Sequence, residues 1–245
     1  MNTRYAIYFI PEPETALAIL GSALLGRDSE TGKNIPQTSL AGFSQQSLHA
    51  LTADARHYGL HATLKAPFFL KKGMTEHDLL LAAARFVVGR EHIIMSRLEL
   101  AQIDSFFALV PPREGPINTL AADAVTFFEP FRAAPSEQEL ARREAQKLTG
   151  RQKALLAEWG YPYVFDEYRF HITLTDKLHD NGEARHMEEG LRAYFAPVRN
   201  EELLVASICV CKQIMPGPAS RADARQNSND SAFMPLIRFG FQPSQ

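Results

Sequence analysis

The chain has 245 residues, 45% of them hydrophobic and 22% charged, which is enough to bury a sizeable core. Its formal net charge of −2 excludes a general nucleic-acid coat, so any phosphate binding is expected at a small local site. The two cysteines, Cys209 and Cys211, are too few for a disulfide framework or a four-ligand zinc site and read as small apolar residues of a buried strand.

Residues 4–10 are rich in aromatic and β-branched side chains and predict a strand stopped by Pro11. The stretch is too short for a signal peptide, and no run approaches the roughly 20 apolar residues of a membrane span, so the expected compartment is the cytoplasm. A helix is predicted from Glu14 to Leu25, then a polar loop at 26–34. That loop fails as a phosphate loop, because five residues separate its glycines and Asn34 stands where Ser or Thr is needed. A short helix is expected at 47–57, a strand through 58–70, and a helix from Thr75 to Val88. Residues 92–101 and 103–110 predict two paired strands. Helices follow at 117–128 and, from the capping box Ser136–Glu139, to Trp159. A strand at 168–175, a helix at 183–195 and strands at 203–211 and 234–241 complete the order. Residues 216–231 lack periodicity. The order reads as an α+β chain in which residues from 168 onward weakly repeat the strand–helix–strand–strand order of 60–110.

Two strands carry the chemistry. In the first, Leu60, Ala62 and Leu64 face one way, and His61, Thr63 and Lys65 the other. In the second, Phe170, Ile172 and Leu174 oppose His171, Thr173 and Thr175. One His-x-Thr on a strand says little. Two, in corresponding places of similar halves, point to a shared site. Paired histidines can act as base and acid on opposite sides of a phosphate, and two threonine hydroxyls can hold its non-bridging oxygens. Lys65 would add positive charge on the same face, Arg169 shares the face of His171 and is a candidate to meet phosphate, and Tyr8, which shares a face of the first strand with Arg4, is a candidate substrate-binding residue. Arg27 is a candidate lid residue. This chemistry needs no metal and no cofactor.

At His61-Ala62-Thr63-Leu64 and His171-Ile172-Thr173-Leu174 the sequence resembles the two-histidine phosphoesterase superfamily. The blocks Arg4–Tyr8, Leu25–Asp28, Tyr58–Phe68 and Arg169–Thr175 are similar to a bacterial family of phosphonate-metabolism proteins. The resemblance implies a single bilobal domain over 1–245: two pseudo-symmetric lobes of mainly antiparallel sheet with flanking helices around a central cleft. It also implies hydrolysis of a small cyclic phosphodiester, with a ribosyl 1,2-cyclic phosphate as the substrate suggested by the family label. Alternatives are RNA end processing or 2′–5′ ligation, which would want a basic track; a non-catalytic binder of a phosphorylated ligand; and a zinc hydrolase. The expected partner is a small phosphorylated substrate rather than RNA or a membrane.

Overall fold

The computed structural model describes residues 2–113, 115–135, 147–215 and 232–243. It is a mixed structure of helices and antiparallel sheets. Strand β1 (Asn2–Phe9) is an inner strand of a four-stranded sheet, with β2 (Ala62–Phe69) on one side and β8 (Ser207–Met215) then β9 (Met234–Gly240) on the other. A three-stranded sheet runs β4 (Glu99–Ile103), β5 (Phe106–Val110), β6 (Ile172–Thr173), and β3 (Ile93–Met95) pairs with β7 (Leu203–Val205). Both His-x-Thr segments therefore lead into edge strands, β2 in one sheet and β6 in the other.

The halves exchange strands. β2 belongs to the first half, yet its sheet is completed by β8 and β9 from the second. β6 belongs to the second half, yet it pairs with β5 from the first. The order after each motif is the same: α4 (Glu76–Phe86) then β3, and α7 (Asn181–Tyr194) then β7, with β3 and β7 paired to each other. This is the two-lobed, pseudo-symmetric arrangement expected from the sequence. The two apolar rows, Leu60, Ala62 and Leu64 with Phe170, Ile172 and Leu174, enter one continuous buried core, where the Phe9 and Phe170 rings lie 6.1 Å apart.

Local chemistry sets the elements. Thr15 caps α1 (Ala16–Leu25) through the Ala18 amide, and Gly26 ends it in the left-handed region. A Cβ on Gly21 would stand 2.3 Å from Leu60, so glycine lets α1 close on the segment that carries His61. The predicted helix at 47–57 is two short helices, α2 (Gln45–Leu51) and α3 (Ala53–Tyr58), broken at Thr52, whose hydroxyl bonds back to the Leu48 carbonyl. The predicted 92–101 strand divides into β3 and β4, and only β4 pairs with β5. The predicted 203–211 strand divides at Ala206 into β7 and β8, which join different sheets.

α5 (Pro116–Phe127) forms where expected. The Ser136–Glu139 capping box and residues 216–231 lie outside the described residues. The described helix α6 (Gly150–Trp159) has its own capping box, Thr149 with Gln152. Among the described residues no helix is long and apolar enough to cross a membrane.

Candidate functional site

His61 and His171 each sit one residue before their strand, and each folds back in the same way. His61 Nδ1 lies 2.9 Å from the Gly59 carbonyl, and His171 Nδ1 lies 2.9 Å from the Arg169 carbonyl. A carbonyl only accepts, so Nδ1 carries the hydrogen in both rings and Nε2 is left with a lone pair. Thr63 Oγ1 stands 3.3 Å from His61 Nε2 and can donate to it. Gly59 supplies its carbonyl from φ +76, a conformation that favours glycine. His61, Thr63, His171 and Thr173 are all half-buried.

The register confirms the correspondence of the motifs. Tyr8 faces Thr63 and Phe9 faces Ala62; Ala108 faces Thr173 and Leu109 faces Ile172. β6 is shorter than the predicted 168–175 because the chain leaves ladder pairing on both sides. His171 bonds locally before the strand. After it, the Leu174 and Thr175 amides both turn to the Phe107 carbonyl, and the Thr175 hydroxyl accepts from the Phe107 amide.

One bond set ties the motifs together. The Asp176 carboxylate accepts from the Asp54 and Ala55 amides at the start of α3, and the Asp176 amide donates to the Leu51 carbonyl at 2.7 Å. The segment that follows Thr173 thus holds the helix that leads into His61.

Burial dominates the electrostatics. It pushes His61 down to about 4, opposed by the Gly59 hydrogen bond and reinforced by the charges of His171 and Arg27. His171 is also lowered by burial, against the Arg169 hydrogen bond. The Tyr8 ring, 1% exposed, stacks on His61 at 3.9 Å, and burial raises its phenol well above the ordinary value, so it stays neutral.

A cleft of about 400 Å³ opens here, lined by His61, Thr63 and Thr173 together with Tyr8, Arg4 and Lys177. His171 itself is outside its lining, though Phe106, whose ring lies 6.0 Å from that of His171, is part of it. A larger hollow of about 590 Å³ lies at Leu98, Leu100, Leu191, Phe195 and Leu203. It contains none of the motif residues and no histidine or cysteine, so the smaller cleft is the candidate site. Among the described residues no three His, Cys, Asp or Glu side chains are grouped to hold a metal ion.

Two expectations are corrected. Lys65 does not line the cleft: it is 4% exposed, and its Nζ donates to the Val125 carbonyl at 2.8 Å and to Glu129 at 2.9 Å. The cause is a bulge in β2. Tyr8 pairs with Thr63 but Ile7 pairs with Lys65, so one step along β1 matches two along β2, and Lys65 lands on the core face with Ile7. Pro67, with no amide hydrogen, follows on this edge strand, near a second register shift. Arg169 is exposed, and its backbone carbonyl accepts from His171 Nδ1. Arg27 is not a lid residue. It is 3% exposed and donates to the carbonyls of Gly32, Arg56, His57 and Phe233, which fastens the 26–34 loop to α3 and the start of β9.

Sequence reasoning gave Arg4 and Tyr8 one face and left Lys177 and Asp176 unremarked. A period-two reading from His171 would carry Thr175 toward the same side, but no motif points to the next two residues.

Comparison with known proteins places the chain. A family model described as "Protein of unknown function (DUF1045)" matches residues 63–219, which takes in Thr63, His171 and Thr173 but stops short of His61. A protein of Janthinobacterium sp. (strain Marseille) named ribose 1,5-bisphosphate phosphokinase PhnN is 43% identical over 179 residues, 72% of this chain and 39% of that protein. One of the same name from Laribacter hongkongensis (strain HLHK9) is 38% identical over 177 residues, 71% of this chain and 40% of that protein. The chain thus spans about two-fifths of the length of these relatives. Among solved structures, a phosphoesterase and E. coli LigT complexed with 3′-AMP each align over 99% of both chains at 13% identity, with a TM-score of 0.42. With the family model covering well over half of its length, the chain belongs to the DUF1045 family.

Proposed function

We propose that this protein is a two-histidine phosphoesterase that hydrolyses a small cyclic phosphodiester without a metal ion, with His61 as base and His171 as acid. The observation that carries the reading is the matched geometry of the two motifs. Each histidine uses Nδ1–H on the carbonyl two residues back, and each has a threonine two residues further on, the second residue of its strand, paired across the ladder with Tyr8 or with Ala108. In this reaction His61 Nε2 takes a proton from water as the water oxygen bonds to phosphorus. The phosphorus–ribose oxygen bond breaks, and His171 in its protonated form gives the Nε2 proton to the leaving oxygen. Thr63 and Thr173 donate to the non-bridging oxygens, so the phosphorus is held in line between the imidazoles. His61 is assigned as base because burial and the neighbouring charge keep it neutral down to about pH 4.

A ribosyl cyclic phosphate is the substrate class proposed. The relatives bear a name that refers to ribose 1,5-bisphosphate, and ring opening of a ribosyl 1,2-cyclic phosphate leaves a 1- or 2-phosphate ester on the same sugar. The kinase activity in that name is not carried over, since most of those chains lies outside the match.

Phosphorus NMR of chelator-treated protein tests the reading against ribose 1,2-cyclic phosphates, 2′,3′-cyclic nucleotides and a short 2′–5′-linked RNA. A cyclic ester opens without metal, and His61→Ala and His171→Ala each slow it by about 10³-fold. If every ester stays intact while a ligand signal broadens on binding, the protein is a phosphate-ligand binder instead. Activity that is lost on chelation and restored by zinc would favour the zinc hydrolase.

A further inference from the structure

The cleft has a cation whose charge nothing in the proposed reaction uses. Arg4 lies on the cleft face of β1, half-buried, and lines the cleft. Its Nε donates to Gln213 Oε1 at 2.8 Å, its Nη2 donates to the same oxygen, and its guanidinium carbon lies 5.6 Å from the centre of the Phe233 ring. Gln213 Nε2 in turn donates to His57 Nε2 at 2.9 Å. These partners are neutral.

Arg90 meets Asp123, Arg132 meets Glu129, and Arg238 meets Glu12 and Glu30. Arg27 distributes its N–H groups over backbone carbonyls. Arg4 alone among these is held by one amide oxygen and a ring face. The cleft carboxylates do not answer it: Asp176 is bonded to the start of α3, and Asp54 is exposed and makes no ion pair with Arg4. Among the described residues Arg4 meets no carboxylate, and a positioned guanidinium of this kind in a concave site is suited to a phosphate or carboxylate supplied by the ligand.

We propose that Arg4, positioned by Gln213 and Phe233, binds a second anionic group on the substrate, a terminal phosphomonoester away from the ester that is cleaved. This rests on the phosphodiesterase reading for its reaction but not for its binding. Arg4 and Tyr8 are four residues apart on one strand face, ~13 Å between their Cα atoms, and Tyr8 stacks on His61. The Phe233 ring bridges that span: its centre lies 5.6 Å from the Arg4 guanidinium carbon and 5.8 Å from the centre of the Tyr8 ring. Arg4 is a binding residue here, and Gln213 is a positioning residue.

The test compares kcat/KM for a ribosyl cyclic phosphate with and without a terminal phosphate, in the wild type, Arg4→Ala, Arg4→Lys, Gln213→Leu and Lys177→Ala proteins. Thermal melts verify that each is folded. The wild type prefers the phosphorylated ester by roughly 10- to 100-fold, the scale of a charge-assisted hydrogen bond. Arg4→Ala brings that ratio close to one through KM, and Arg4→Lys and Gln213→Leu fall between. A ratio that survives Arg4→Ala, or that collapses in Lys177→Ala instead, overturns the assignment. Calorimetric titration with ribose 5-phosphate separates the two proposals. If the wild type opens neither ester, the hydrolytic reading fails. Binding that is lost in Arg4→Ala then still supports the subsite, and equal binding by both proteins overturns it.

Discussion

Each motif histidine uses Nδ1–H on a carbonyl two residues back, which leaves Nε2 as the ring nitrogen available to a ligand. The pH dependence follows from which form each role requires. As base, His61 works only when neutral, so activity rises as pH increases through about 4. As acid, His171 works only when protonated, so activity falls as pH increases through its pKa, which burial holds below the ordinary 6.5. The expected kcat/KM profile is a bell whose acid limb rises through about 4 and whose alkaline limb falls at a pH below 6.5. Steady-state rates from pH 3.5 to 8.5 check this; a profile that keeps rising to a plateau above pH 7 would rule out the assigned roles. At this scale the sequence was informative where spacing alone fixes geometry. His and Thr two residues apart share a strand face, and Tyr8 was read correctly as a face-mate of Arg4. The depressed histidine pKa values were not legible, because burial is contributed by residues from the other strands and helices.

Among the elements, β2 shows how a local rule fails. Period two put Lys65 beside Thr63, but the bulge between them rotates Lys65 into the core side, where the ammonium meets Glu129 beyond the end of α5. Burial lowers the Lys65 pKa, and the Glu129 carboxylate opposes the shift. Lys65→Ala is therefore expected to lower stability by about 1–3 kcal/mol while leaving KM within twofold; urea denaturation and steady-state kinetics measure the two together. A large rise in KM with unchanged stability would return Lys65 to the cleft. One helix start was legible for a different reason. Thr75 was read as a cap and accepts from the Asp78 amide, a signal written within three residues, whereas the starts expected at Glu14 and Glu183 missed the caps Thr15 and Asp180. The break between α2 and α3 was not legible, since Thr52 continues an otherwise helical pattern.

For the whole molecule, the exchange of strands makes each half dependent on the other. β2 and β1 are completed by β8 and β9, β6 is seated on β5, and the apolar rows beneath both motifs share one core. Fragments 1–135 and 147–245 expressed separately are expected to stay unfolded, and mixing them is expected to restore cooperative unfolding and the proposed activity. Circular dichroism melts of each fragment and of the mixture test this. Two fragments that each melt cooperatively alone would mean that the halves are independent domains.

The sequence by itself determined the antiparallel α+β character, the positions of most elements, and the twin His-x-Thr segments with their apolar undersides. Those properties depend on periods of two and 3.6 and on short capping signals, which neighbouring residues specify. The tertiary structure alone decided that β8 and β9 complete the sheet of β2, that Lys65 leaves the cleft, that Arg27 is fastened to backbone carbonyls and that Arg4 meets Gln213 and the Phe233 ring. Each of these depends on which distant segment approaches, a choice made by burial of the shared core rather than by any local pattern.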